Sequence, residues 1–365
     1  MIDISRFEER VRREIDSGLL PACQWAFGLH GEIVASGVLG DADEDTRFTI
    51  FSATKAIVAS AVWTCIAEGS IKLDAKVADM IPEFATNGKQ DITIEQVMLH
   101  TSGFPRNGWN LDMATSVGRR KRFAAWKTNW EPGTRFEYHA TTAHWVLAEL
   151  VEVATGRDYL EVIEQRVTAP LGLPRVLGIP TSDSDNIARL VNVGDEMTPD
   201  ELEAVFGVRA LPATEVTPEA LVSFDEPARR ALGVPGGGGV TTARNLALFY
   251  QELLHNSKGI WDPDVLNDVK TNVRNHLADV VFKVPANRSA GLVIAGDDGK
   301  ASLRGFGKTQ SAGTFGHNGA GGQIAWADPA SGLSFVYLTN GLDRHVVRQA
   351  RRSVALSSIA AASAG

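Results

Sequence analysis

Phe51-Ser52-Ala53-Thr54-Lys55 opens a stretch that stays largely apolar to residue 68 and halts at Gly69. Its length and stop signal predict a helix over 52–68. The apolar residues run nearly all the way round, so this is a buried helix rather than a surface one. Ser52 is the one serine in the chain with lysine three residues on. Positions i and i+3 share a helix face, which brings the Lys55 amine within reach of the Ser52 hydroxyl. A helix start also presents free N–H groups and positive potential, which suit a developing oxyanion. A buried lysine can shed its proton and act as a base. The same pair can instead be a helix-capping serine with a solvated lysine one turn later. The apolar setting favours chemistry, because the first turn of a buried helix faces a pocket or a lobe interface.

Before this helix, residues 5–17 carry Phe7, Val11 and Ile15 at a spacing of four among Glu and Arg, an amphipathic helix. Two short runs, 23–29 and 33–38, flank His30-Gly31-Glu32 and read as a β-hairpin. After it come helices over 92–100, 141–154 (ended by Gly156) and 159–167, stopped before Pro170. Residues 181–225 are rich in acids and prolines and read as loops and short helices. A helix over 243–255 follows the four glycines at 236–239. Residues 290–295, 323–328 and 333–339 read as strands, the last two joined by Pro329-Ala330-Ser331-Gly332. A helix over 343–359 closes the chain. Strands thus sit at both ends and helices between. The economical α+β arrangement pairs the first hairpin with the last strands in one antiparallel sheet and covers one face with the terminal helices. We expect a single domain, 1–365, with a sheet lobe (1–50 with 226–365), a helical lobe (51–225) and the active site at their seam.

Composition narrows the function. The 365 residues include 36 Lys+Arg and 44 Asp+Glu, a formal net charge of −8. That argues against a nucleic-acid binder acting through a basic surface. No uninterrupted apolar run reaches membrane-spanning length, so no membrane partner is expected. The charged start, Met1 to Arg10, lacks a hydrophobic signal segment, and Cys23 and Cys65 are too few for a disulfide scaffold. Both point to a cytoplasmic protein with reduced thiols. The eight histidines are scattered, and no metal or cofactor is expected. There is no Gly-x-Ser-x-Gly elbow. Gly305-Phe306-Gly307-Lys308-Thr309 lacks the leading glycine of a phosphate loop, since residue 302 is serine.

Two further stretches can carry chemistry. Tyr138, after Pro132-Gly133-Thr134-Arg135-Phe136-Glu137, sits just before a strong helix, where a phenol can act as a base. Packing alone also explains a tyrosine there. Phe315-Gly316-His317-Asn318-Gly319-Ala320-Gly321-Gly322 leads into a strand, and its glycines let backbone approach a ligand. A glycine-rich turn with an incidental histidine is the plainer alternative.

Together the three stretches resemble the serine β-lactamase-like hydrolases: class C β-lactamases, D-Ala-D-Ala carboxypeptidases and family VIII carboxylesterases. The family's Ser-x-x-Lys, Tyr-x-Asn and Lys/His-x-Gly fall, in order, on Ser52–Lys55, Tyr138-His139-Ala140 and His317-Asn318-Gly319. His100-Thr101-Ser102-Gly103 and Pro132-Gly133-Thr134 match its flanking segments. The resemblance implies a β-lactamase/transpeptidase-like fold and a set of roles. Ser52 is the acylated nucleophile, and Lys55 and Tyr138 share the proton transfers. The N–H groups of Ser52 and Ala320 form the oxyanion hole. His317, Gly319, His139 and Trp109 border the substrate.

Two departures narrow the substrate. Ala140 replaces the asparagine that helps hold an amide side chain, and His317 replaces a lysine whose fixed charge meets a carboxylate. Histidine is largely neutral at neutral pH. Both departures favour a small-molecule ester over a β-lactam or a D-Ala terminus. An acyltransferase using the same acyl-enzyme is the alternative; a β-lactamase, a peptidase or a non-catalytic binding protein fits less well. Lys308-Thr309-Gln310 is a decoy for the third motif. The basic run Arg119–Arg122 reads as a solvated helix face, and Cys65 as a core residue. Trp109, Trp126 and Trp130 are either an acyl-pocket wall or ordinary packing. Oligomeric state is not legible.

Overall fold

The computed structural model describes residues 2–211 and 216–364. Met1, at the start of the charged opening, and residues 212–215, inside the stretch read as loops and short helices, lie outside the described residues.

The elements that position the site are helices α1 (Ser5–Asp16), α2 (Thr54–Ala67), α3 (Ile94–Met98), α4 (Ser116–Ala125), α5 (Thr142–Thr155), α6 (Ala243–His255), α7 (Pro263–Thr271) and α8 (Val346–Ala362). The sheet strands are β1 (Ala22–Leu29), β2 (Glu32–Gly40), β3 (Val293–Ile294), β4 (Phe315–Gly316), β5 (Ile324–Asp328) and β6 (Leu333–Thr339). They form one antiparallel sheet in the order β2-β1-β6-β5-β4-β3. The first hairpin therefore does join the last strands, with Trp25 opposite Tyr337 and Phe27 opposite Phe335.

Both faces of β1, β5 and β6 are buried, because helices cover each side. Alternation along β1 sends Cys23, Trp25 and Phe27 toward α1 and α8, where Phe7, Val11, Trp326, Phe335 and Leu356 complete a cluster. The opposite face packs on α6. There Gln251 donates to Gly28 O (2.8 Å) and accepts from Gly31 N–H (2.8 Å). The larger core lies on this side, and α2 runs through it with every residue from Thr54 to Cys65 buried.

The structure differs locally from the expectations. The strand expected at 290–295 shrinks to β3, because Gly291 turns the chain at φ +114° and presses on Ala59 of α2. The last helix starts at Val346 rather than 343. Residues Gly341–Asp343 are instead a short strand parallel to Val191–Val193, and His345 caps α8 by accepting from Arg348 N–H. Regular α-helix after Tyr159 ends at Ile163, and Glu164–Thr168 continues as a wider π turn. Helix α7 was not anticipated, although Asp262 and Pro263 supply a standard N-cap and first residue. Among the described residues no helix is long and apolar enough to cross a membrane.

Candidate active site

Ser52 does not start the helix. It sits in a single 3₁₀ turn, Phe51–Ala53, and α2 follows from Thr54. The turn is entered through Phe51 at φ +45°, a strained value for a bulky residue. The glycine run 236–239 braces it. Ile50 N–H donates to Gly239 O (2.9 Å), and Gly239 N–H donates to Thr54 Oγ1 (2.9 Å). A Cβ at Gly236 would stand 2.8 Å from Ala140 O, and one at Gly239 2.6 Å from Thr54 Oγ1. Reading the sequence gave these glycines no role; the only signal was that glycine permits close backbone approach.

Lys55 is wholly buried. Its Nζ lies 2.6 Å from Gly236 O, 2.7 Å from Ala140 O and 3.1 Å from Ser52 Oγ. Burial, and secondarily the Arg288 charge, hold its pKa well below the usual lysine value. A neutral amine has two N–H bonds. The two carbonyls accept both, so the remaining lone pair faces the Ser52 hydroxyl. Ala140 thus serves through its backbone, whatever its side chain.

Tyr138 lies beside this pair, its ring centroid 5.0 Å from Lys55 Nζ. Its Oη is shielded from solvent and has no partner of regular geometry among the described residues. Burial pushes its pKa up to about 12 against the lowering influence of Arg288 and Ser52, so the phenol is protonated. His100 fixes the segment. Its ring lies 4.9 Å from Tyr138, and its Nδ1 accepts from His139 N–H at 3.1 Å.

His139 does not reach the substrate space expected for it. It is fully buried. Phe104 N–H donates to its Nε2 (3.1 Å), so Nδ1 carries the proton and donates to Glu137 O (2.7 Å). Burial lowers its pKa to about 3. It locks the His100–Gly103 segment to the tyrosine loop. His144, which the sequence suggests is structural, is buried, with no partner for either ring nitrogen among the described residues, and stacks 6.0 Å from His100.

The third stretch closes the site. His317 is 6% exposed, and its ring lies 5.9 Å from that of Tyr138. Arg288 Nη1 donates to its Nε2 (3.3 Å), so Nδ1 donates to Asn318 O (2.9 Å). Burial, then the charges of Arg288 and Lys55, keep it neutral. Gly319 passes so close to Ile50, two residues before Ser52, that a Cβ would stand 2.2 Å from Ile50 O. Lys308 and Thr309 are elsewhere, hydrogen-bonded to Ser358 on α8.

Trp109 is half-buried and meets Phe224 at 6.2 Å, which in turn meets Phe51 at 5.7 Å. An apolar path thus runs from Trp109 to the residue preceding Ser52. Trp126 instead stacks on Phe104 in the core, and Trp130 packs on His139 and Arg135. The solvated face expected at 119–122 is partly wrong. Arg119 is buried and pairs with Glu149 (2.7 Å) and Glu152, and Arg120 pairs with Glu149 (2.6 Å). Cys65 is buried in the core. Among the described residues no cluster of His, Cys, Asp and Glu could hold a metal ion.

Known proteins place the chain. It is 28% identical over 315 residues to an esterase/beta-lactamase LipL of Mycobacterium tuberculosis, covering 82% of this chain and 70% of the relative. It is 29% identical over 352 residues to an esterase EstB of Burkholderia gladioli, covering 85% and 83%. A crystal structure of a family VIII carboxylesterase superposes with a TM-score of 0.77 at 24% identity, over 98% of this chain and 97% of the other, and shares the fold. The profile of the Beta-lactamase family matches residues 7–358. The chain is a member of the Beta-lactamase family.

Proposed function

We propose that the protein is a serine hydrolase that cleaves carboxylic esters of small molecules through an acyl-enzyme on Ser52. The observation that carries this is the hydrogen-bonding of Lys55: two backbone carbonyls occupy its N–H groups and Ser52 faces its lone pair. Lys55 takes the Ser52 proton as Oγ bonds to the ester carbonyl carbon. The N–H groups of Ser52 and Ala320 receive the oxyanion; losing such a donor costs about 10²–10³ in rate. Collapse breaks the carbon–alkoxide bond. Tyr138 gives its proton to the departing alkoxide and is reprotonated from Lys55. Water then attacks the acyl carbon, with the same pair taking its proton; collapse breaks the bond between the acyl carbon and Ser52 Oγ, and that proton returns to Oγ as the acid leaves. His317 borders the substrate, and Trp109 continues the apolar wall of Phe51 and Phe224. Names of relatives that include esterases agree with this reading.

Steady-state hydrolysis of p-nitrophenyl esters tests it, comparing wild type with Ser52→Ala, Lys55→Ala and Tyr138→Phe. Loss of about 10²–10⁴ in kcat for each, with combined variants little worse than single ones, is the expected result. Turnover that persists in Ser52→Ala would refute it.

A further inference from the structure

The first two turns of α8 are rich in arginine. Arg348, Arg351 and Arg352 lie there, and α1 beside it adds Arg10. All four line a cavity of about 460 Å³ between the two helices. It lies on the face of the sheet that carries the Phe7–Phe335 cluster, away from the core that holds α2 and the turn of Ser52.

Two carboxylates answer these arginines. Glu14 pairs with Arg10 (2.7 Å) and Arg352 (3.4 Å). Asp343 pairs with Arg348 (2.7 Å) and Arg352 (3.1 Å). Asp195 acts on Arg348 from longer range, and the Glu201 carboxylate accepts from Thr198 N–H (2.8 Å). Four guanidinium groups against two carboxylates leave two positive charges over, in a protein of net charge −8. The surplus shows in the hydrogen bonds. Arg351 is exposed and makes no hydrogen bond or ion pair among the described residues. Arg352 is 1% exposed, yet its Nε and Nη2 have no partner among the described residues. Glu14 and Asp343 thus leave it unsaturated, and idle donors on a buried guanidinium are costly.

The backbone adds to the same potential. Val347 and the cap residue His345 also line the cavity, so it opens at the positive end of a 17-residue helix. His345 accepts from Arg348 N–H at Nδ1 (3.2 Å), which leaves its Nε2 as a further donor. A surplus of two charges matches a phosphate monoester, which carries about −1.5 to −2 near pH 7. Guanidinium groups bind phosphate oxygens in pairs. A concave space of this volume suits a small molecule, whereas a flat lipid surface would meet only its rim.

We propose that this cavity is a second, non-catalytic site that binds a small soluble phosphate monoester. The site makes no use of Ser52 and stands or falls separately from the hydrolase reading.

Calorimetric titration with glycerol 3-phosphate tests it, with acetate at matched ionic strength as the singly charged control. The proteins are wild type, Arg351→Gln and Arg10→Gln, each shown to be folded by its thermal melt. Arg351 is exposed, so its variant should fold as wild type does. We expect saturable binding of one equivalent to wild type, with acetate far weaker. Arg351→Gln should weaken binding by about 10–100-fold, the range for a charged hydrogen bond. Arg10→Gln should weaken it too, because the cavity draws donors from both helices. No saturable binding to wild type, equal binding of acetate, or binding unchanged in both variants would overturn the proposal. Vesicles of phosphatidylcholine with phosphatidic acid separate a lipid headgroup from a free phosphate. Cosedimentation of wild type that Arg351→Gln abolishes, without binding of glycerol 3-phosphate, would overturn the assignment to a soluble ligand.

Discussion

The proposed proton transfers require a neutral Lys55 and a protonated Tyr138, and the surroundings of both residues favour those states. The folded-state pKa of Lys55 lies well below the ordinary 10.5, chiefly because it is buried, and that of Tyr138 is about 12. The acid limb of kcat/KM for a neutral ester should therefore rise as Lys55 loses its proton, well below pH 10.5. No alkaline limb from Tyr138 should appear until about pH 12, while the fold survives. A stopped-flow pH profile checks this, and an acid limb near 10.5 would contradict it. Ser52 makes no capping hydrogen bond, so Ser52→Ala should melt within about 1 kcal/mol of wild type while losing turnover. At this scale the sequence was most informative about Ser52, Lys55 and Tyr138, because their chemistry is tied to fixed spacings. It was silent on Arg288, which reaches His317 from outside the three motifs, and a contact between distant residues has no local sequence pattern. His139 misled for the same reason: burial and two hydrogen bonds decide its role, and neither is local.

Close backbone approach between elements holds the site together. Gly319 lies against Ile50, and a Cβ there would meet a carbonyl oxygen at 2.2 Å, an atom that cannot swing aside. Gly319→Ala should push the third stretch away from Ser52, costing about 1–3 kcal/mol and lowering kcat. Thermal melts and kinetics check it, and wild-type values in both would show the contact to be slack. The α4–α5 contact makes a separate prediction. Arg119→Ala takes from Glu149, which is 0% exposed at its side chain, its fully buried partner and leaves it Arg120 and Ser116, and should cost up to about 3 kcal/mol. A solvated face would give less than about 0.5 kcal/mol. The basic run looked solvated because charge composition cannot tell a helix whose partner carries buried acids from one that faces water.

Across the whole molecule, burial of neutral histidines makes the fold acid-sensitive. The pKa of His139 falls from 6.5 to about 3, and those of His100, His144 and His317 are lowered, all with burial as the main cause. Between the lowered and the ordinary value the unfolded chain binds more protons, so stability rises with pH there and is lost on acidification below about 6.5. His139 alone should contribute about 2 kcal/mol of loss between pH 7 and 5. Calorimetry at both pH values checks this, with His139→Gln expected to show a shallower slope. The join of the first hairpin to the last strands was legible, because β1, β2, β5 and β6 all carry strand patterns and one antiparallel sheet of them pairs their inner edges. The short pieces, β3, β4 and Gly341–Asp343, were not legible as strands of their own extent. Two or three residues hold no periodicity, and their conformation is set by neighbours. The central claim is covalent chemistry at Ser52, and intact mass after brief exposure to a p-nitrophenyl ester tests it most directly. The account predicts one added acyl mass on wild type and none on Ser52→Ala. An adduct of the same mass on Ser52→Ala would contradict it.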